Sequence, residues 1–259
     1  KFIFFPGGPE GGPFGTIVYN GAVAAAEHTG CDVDYYWSQW NSEIMIKQFK
    51  EAVALQPDGI AIYGFPGDAA MRPIIKEARE MGIVITTMNT PLPDLEAEFK
   101  TEGFGYAGAD LFAAGFNLGK KAVEVCGLSA GDKAFVWGLA SMPNRGERTK
   151  GAIAGVEEMG VEVVYQEIPD NVNSDASQGT PMYVATYSAN PDIKMAITDH
   201  GGLTASLPTY MKAAGHGSEE VCGAGFDLSA PIVDGINSGY IDVVIDQQPF
   251  IQGYMPIVQ

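Results

Sequence analysis

The chain has 259 residues, of which 46% are hydrophobic and 18% charged, and its formal net charge at pH 7 is −17. Such a length buries a sizeable core in one large domain or two ordinary ones. The acidic balance argues against nucleic acid or an anionic membrane as partner, because binding phosphate depends on clustered Lys and Arg. No apolar stretch approaches the roughly 20 residues that cross a bilayer. Cys31, Cys126 and Cys222 show no CxxC spacing of the metal-binding kind; buried free thiols are expected, although one disulfide is possible. No signal peptide opens the chain, which begins inside an apparent first strand, so a leader removed upstream is the expectation.

Residues 2–5 form a compact apolar run, followed by the loop PGGPEGGPFG and by helical character over residues 17–29. The loop has neither the GxxxxGK[ST] pattern nor GxGxxG spacing, Pro9 and Pro13 offer no amide donor, and Glu10 repels phosphate; nucleotide binding is not expected. Phe14 beside it reads equally as cover for the apolar face of a ligand and as an anchor for the loop. Residues 32–36 make a second strand, followed at once by Trp37 and Trp40, for which a packing role is favoured over a pocket role. A helix over residues 43–55 turns Ile44, Phe49 and Val53 toward the sheet.

Residues 58–89, DGIAIYGFPGDAAMRPIIKEAREMGIVITTMN, read as strand, helix and strand. The almost continuously apolar run at residues 59–63 suits a strand covered on both faces. Met71, Ile74, Ile75, Ala78 and Met81 form one helical stripe, with Lys76, Glu77, Arg79 and Glu80 on the other side. Asp68 is expected to cap this helix and Gly82 to end it, while Pro73 places the start of its regular part near Arg72. The strand at residues 83–88 then delivers Asn89 to its C-terminal end, and TPLPDLEAEFK is expected to be a surface loop.

FGYAGAD, residues 104–110, reads as a short strand or crossover before a long helix that runs through Val125. Alternation then restarts, with strands at residues 134–137, 161–166, 195–198, 221–226 and 241–245 and helices at 148–159, 177–188, 203–214 and 230–238. Two α/β halves with parallel strands follow from that pattern. Residues 127–131 spell GxSxG, but a helix precedes and a strand follows, the reverse of a nucleophile elbow; a turn is expected. His28 and His216 occupy a helix and a loop, and Asp199 beside His200 lacks a nucleophile or metal set, so no catalysis is expected.

In open α/β sheets, ligands bind outside the C-terminal ends of strands. Those ends supply Phe14 and Asn89 in the first half, then Trp137, Asn144, Arg148, Asn171, Asp199 and Asp227 in the other, with Gln247 beyond the last strand. Donors, acceptors and flat apolar faces together suit a neutral polyol, whose buried hydroxyls need partners and whose C–H face prefers an aromatic ring. The competing reading makes Arg148 and Asp227 a structural ion pair or surface residues.

GFPGDAAMRPIIKEAREMGIVITTMN, YAGADLFAAG, NRGERTKG, NPDIKMAITDHG, GFD and DQQPFIQG, in that order, resemble periplasmic sugar-binding proteins of the ribose-binding type over essentially the whole chain. The resemblance implies an α/β fold of the periplasmic binding protein type I class: two Rossmann-like lobes with parallel sheets, residues 1–107 plus 248–259 and residues 108–247, joined by a multi-strand hinge. It implies a monomeric periplasmic receptor that captures a neutral monosaccharide, an aldopentose, aldohexose or related polyol, and presents it to the membrane permease of an ABC transporter. No catalysis, cofactor or metal is implied. The family's sugar contacts fall on Phe14, Asn89, Arg148, Asp199, Asp227 and Gln247, and the hinge near residues 106–110 and 246–249.

Departures from the family pattern bear on the ligand. The family commonly has aspartate at the position of Asn89 and asparagine at that of Asp199, so two hydroxyl-binding charges look exchanged. Gly12 replaces an asparagine and Gly15 a second aromatic residue; the aromatic expected around Asn171 is missing, and Trp37 is the candidate to compensate. These changes argue against ribose itself. The chain stops at Gln259 inside a helix, where the family usually continues, so further C-terminal residues are expected. Two rival readings of the same fold are the effector domain of a LacI-like repressor, which needs a helix-turn-helix absent here, and an autoinducer-2-type receptor.

Overall fold

The computed structural model describes residues Lys1–Gln259, which group into two compact units. One comprises Lys1–Ala109, Pro143–Arg145 and Gln248–Gln259, the other Asp110–Met142 and Gly146–Gln247. No helix is long and apolar enough to cross a membrane.

The first unit runs β1 (Phe2–Gly7), α1 (Pro13–Thr29), β2 (Val33–Trp37), α2 (Ser42–Ala54), β3 (Gly59–Tyr63), α3 (Asp68–Glu80), β4 (Val84–Met88), α4 (Pro93–Phe99) and β5 (Gly105–Ala107). Its five strands are parallel in the order β2-β1-β3-β4-β5. Every residue of β3 is buried, as a strand covered on both faces requires. Helix α1 starts at Pro13, earlier than expected, because a proline in the first turn gives up only an amide that has no helical partner there.

Five expectations in this unit are corrected. Asp68 does not cap its own helix, whose N-cap is Gly67 at φ 85°, and Pro73 lies inside the helix rather than delaying its start. Instead Asp68 Oδ1 accepts the backbone N–H groups of Asp94 and Leu95, each at 3.1 Å, and so caps α4, the helix formed by the supposed surface loop. Ile44 is 38% and Met81 47% exposed. Met45 takes the buried place on α2, and Ile83 takes it after α3, where Gly82 turns the chain at φ 82°.

The second unit runs α5 (Leu111–Val125), β6 (Lys133–Gly138), α6 (Glu147–Glu158), β7 (Glu162–Glu167), α7 (Asp170–Ser174), α8 (Thr180–Ala189), β8 (Ile193–Thr198), α9 (Gly201–Ala213), β9 (Cys222–Phe226), α10 (Ala230–Asn237) and β10 (Val243–Ile245). Its strands are parallel in the order β10-β9-β8-β6-β7. The helix expected over residues 177–188 begins as a short 3-10 turn at Ala176–Gly179, and α8 follows from Thr180 with Pro181 in its first turn. Residues 127–131 form the expected turn, with the Ser129 N–H donating to Asp132 Oδ2 at 2.8 Å. One face of the sheet buries Phe135, Trp137, Tyr183 and Tyr210; the other buries Leu118, Val123, Val156 and Phe226.

Helix α11 (Pro249–Val258) returns the chain to the first unit and lies on α1 with backbones nearly touching. A Cβ on Gly21 would lie 2.0 Å from the Phe250 carbonyl oxygen, and one on Gly253 would lie 1.8 Å from that of Val18. The same device joins α5 to α6 in the second unit. Cβ atoms on Gly115, Gly119, Gly151 and Gly155 would meet the backbone oxygens of Arg148, Ala152, Phe112 and Phe116 at 1.9 to 2.5 Å.

Of the two cysteine readings, the favoured free thiols and one disulfide, the structure has the disulfide. Cys126, just past α5, and Cys222, at the start of β9, form a disulfide across a sequence separation of 96, with a Cα–Cα distance of 5.8 Å. Cys31 is the free thiol.

Candidate functional site

Four of the polar residues expected at strand ends converge in the second unit. Arg148 enters from the first turn of α6 and is 2% exposed. Its Nη2 donates to Gln247 Oε1 at 2.7 Å and its Nη1 to the Asp199 carbonyl at 3.3 Å, while its guanidinium lies 4.5 Å over the Phe226 ring. Gln247 passes the link on, donating through Nε2 to Asp227 Oδ1 at 2.6 Å. Arg148 and Asp227 are therefore joined through a carboxamide, not as the direct ion pair of the competing reading.

The other Asp227 oxygen, Oδ2, accepts the Gly201 N–H at 3.0 Å, at the start of α9. Only glycine permits that approach, since a Cβ at residue 201 would lie 2.4 Å from Oδ2. Asp227 itself has φ 77°, a left-handed conformation more accessible to Asp and Asn than to most residues. Burial pushes its carboxyl above the ordinary aspartate range, opposed by the hydrogen bond from Gln247, the charge of Arg148 and the N–H of Gly201. Asp199, at the end of β8, is held by its neighbours as well: the Thr149 hydroxyl donates to its Oδ2 at 2.9 Å while accepting the Leu139 N–H at 2.9 Å.

In the first unit Asn89 follows β4 at φ 59° and is 6% exposed. Its N–H donates to the Ala107 carbonyl at 3.1 Å and its own carbonyl accepts the Tyr106 hydroxyl at 3.0 Å. Its Nδ2 donates to Gln252 Oε1 on α11 at 3.1 Å. Phe14 is half-buried in the first turn of α1, its ring 6.0 Å from that of Trp40.

The remaining candidates lie outside these networks. Trp37 sits on the edge strand β2, its ring 5.8 Å from that of Tyr19. Trp137 is fully buried, stacked 5.8 Å from Phe135 in the core. Asn171 is exposed on α7 and donates to Gln178 Oε1 at 2.9 Å. Asn144, at φ 55°, belongs with the first unit, where its Nδ2 donates to Asp68 Oδ2 at 2.7 Å and to the Pro91 carbonyl at 3.1 Å. No group of three or more His, Cys, Asp or Glu side chains is arranged to hold a metal ion.

Thr149, Gly201 and Gln252 escaped the reading of the sequence. Thr149 and Gln252 lie within NRGERTKG and DQQPFIQG beside residues already singled out, and Gly201 opens the helix after Asp199 and His200; that adjacency was the available signal.

The family described as periplasmic binding protein domain matches residues 3–259. This chain belongs to that family. Among curated relatives, the xylose/arabinose-binding protein XylF of Sulfolobus acidocaldarius is 22% identical over 238 residues, covering 87% of this chain and 57% of XylF. The chain thus spans little more than half the length of that relative. Among solved structures, GanP, a glucose-galactose binding protein from Geobacillus stearothermophilus, superposes with a TM-score of 0.84 at 21% identity, covering 99% of this chain and 88% of that one. An ABC transporter periplasmic solute binding protein from Actinobacillus succinogenes with bound D-allose gives the same TM-score and identity over 99% of this chain and 88% of its own. The fold is that of type I periplasmic binding proteins, two α/β units each with a parallel five-stranded sheet.

Proposed function

We propose that this family member is a substrate-binding protein that captures a neutral monosaccharide, an aldopentose or aldohexose, and delivers it to the permease of an ABC importer. On this reading it is an exported periplasmic monomer without catalysis or cofactor. The proposed lobes, residues 1–107 plus 248–259 and residues 108–247, hinge near residues 106–110 and 246–249.

The observation that carries the reading is the buried chain of Arg148, Gln247, Asp227 and Gly201, with Asp199 held beside it by Thr149. Each side chain is already oriented by a protein partner, so a hydroxyl meets fixed donors and acceptors instead of mobile ones, and less ordering entropy opposes binding. Carboxylates and a guanidinium make charge-assisted hydrogen bonds to hydroxyls, stronger than neutral ones. Phe14 supplies the apolar face, Asn89 hydroxyl contacts from the first unit, and Trp37 and Asn171 peripheral contacts. The sugars named for the relatives, xylose or arabinose, glucose or galactose, and allose, belong to the proposed class.

A panel of pentoses and hexoses, read by thermal shift and by mass spectrometry of the purified protein, tests the proposal. A true ligand at a hundredfold excess over its Kd adds about 2.7 kcal/mol of stability. If no sugar in the panel shifts the midpoint and none co-purifies, sugar capture is rejected.

A further inference from the structure

We infer that the open edge of β2 is a docking site for an extended, basic segment of another protein, which joins the five-stranded sheet of the first unit as an added strand. Trp37 apart, the surface uses none of the residues assigned to sugar, and the inference does not depend on the sugar reading.

Strand β2 is the outermost of its sheet and pairs with β1 alone. The Phe2 N–H donates to the Asp32 carbonyl at 2.7 Å and the Ser38 N–H to the Gly7 carbonyl at 3.1 Å. The even-numbered residues of this stretch therefore turn their backbone groups toward β1, and the residues between them turn theirs away. Val33 and Tyr35 each present an N–H and a C=O to the open side; Trp37 does the same, but its carbonyl already accepts Gln48 Nε2 at 3.0 Å. A cleft of about 730 Å³ runs beside these groups, lined by all of β2 together with Tyr19 of α1 and Glu10 of the glycine-rich loop. An unpaired strand edge is a template for pairing with another chain. A cleft alongside it adds what strand addition needs for specificity, a place for alternate side chains of the incoming segment.

The lining chooses the occupant. Tyr35 and Trp37 share the face of β2 that is turned to α1, where the Tyr19 ring lies 4.7 Å from the first and 5.8 Å from the second. A guanidinium or ammonium group on that face of an added strand meets aromatic rings. The charged side chains of the lining, Glu10 and Asp34, are both carboxylates, and exposed Asp32 stands just before the strand. Lys1, the cation beside Asp34, is already engaged by it at 2.7 Å. A second copy of this chain is the wrong occupant, because pairing β2 with itself brings the same carboxylates to both sides of the new ladder.

Three terminally blocked heptapeptides test the inference on the intact chain: one alternating arginine with valine, one with glutamate in place of arginine, and the arginine peptide N-methylated at its central residues, which strips N–H groups from both of its edges. Amide hydrogen exchange followed by NMR reads the edge directly. At about ten times its Kd, the arginine peptide is expected to slow exchange at Val33 and Tyr35 roughly tenfold, while the other two leave both amides unchanged. Tyr35→Pro removes an outward N–H without touching the ladder to β1, and Tyr35→Val keeps that N–H; thermal midpoints check that each variant folds. Tyr35→Pro is expected to lose the slowing at Val33 and Tyr35→Val to retain it. No slowing by the arginine peptide at millimolar concentration, equal slowing by either of the other peptides, or undiminished slowing in folded Tyr35→Pro overturns the inference. Slowing that rises with protein concentration alone, together with a dimer in analytical ultracentrifugation, overturns it in favour of self-pairing.

Discussion

On the proposed function, Asp227 is a side chain that serves binding at a cost to the unliganded fold. Its oxygens are shared between Gln247 and Gly201, and replacing it by alanine strands both donors and removes the acceptor that a sugar hydroxyl would use. We expect Asp227→Ala to weaken sugar binding by roughly 2 to 4 kcal/mol, measured by calorimetry. The same residue carries a pH signature. Because burial raises its folded pKa, the folded state holds the proton more tightly than the unfolded chain does. Wild-type stability relative to Asp227→Asn should therefore decline as pH climbs from below the ordinary aspartate range through the raised value, and level off above it. Denaturant melts of the two proteins across that range check the sign; a relative stability that rises with pH contradicts it. At this scale the sequence was partly legible. Arg148, Asp199, Asp227 and Gln247 stand at predictable strand and helix ends, whereas the roles of Thr149 and Gln252 depend on partners 50 and 163 residues away that no local pattern marks.

Among the elements, those with a local cause were readable and those with a distant one were not. The apolar runs of β1, β3, β6 and β8 announce strands, and the stripe of Met71, Ile74, Ile75 and Ala78 announces α3. Helix α4 did not announce itself, because prolines stand at 91 and 93 around its start and its cap is Asp68, which lies 26 residues from Asp94. Removing that cap by Asp68→Ala should cost about 1 kcal/mol of stability, seen as a lower denaturant midpoint with unchanged m-value. The glycines of α5 and α6, spaced by four, were visible without their purpose. Their purpose is contact: Gly115 admits the Arg148 carbonyl and so seats the first turn of the helix that presents the guanidinium. Gly115→Ala is expected to overpack this crossing, lowering stability by about 1 to 3 kcal/mol. A chemical-denaturation series would measure it, and a neutral result would mean that the two helices can separate freely.

For the molecule as a whole, the pairing of Cys126 with Cys222 lay beyond sequence reasoning, since nothing local distinguishes them from Cys31. Closing a loop of this length constrains the unfolded chain, and its loss should lower stability by roughly 2 to 5 kcal/mol. Reduction with dithiothreitol and the double variant Cys126→Ala/Cys222→Ala should give matching drops in thermal midpoint, while Cys31→Ala should leave it unmoved. Such a bond belongs to an oxidising compartment, consistent with the proposed export. Two exposed ion pairs, Lys133 with Asp192 and Lys194 with Asp132, cross between β6 or its approach and β8 or its approach. Both carboxyls are held below the ordinary aspartate range, chiefly by hydrogen bonds from those lysines. Their contribution is present above the unfolded pKa and fades as pH falls through the lowered folded values.

Gln247, the middle of the relay from Arg148 to Asp227, is the last residue of the second unit, and Gln248, the first of the stretch returning to the other, has φ 59°. On the proposed function, ligand preference therefore has a route to change that leaves every proposed sugar-contacting side chain intact. Any substitution at 248 that resists a left-handed backbone, a β-branched residue above all, reaches the relay through a single peptide bond.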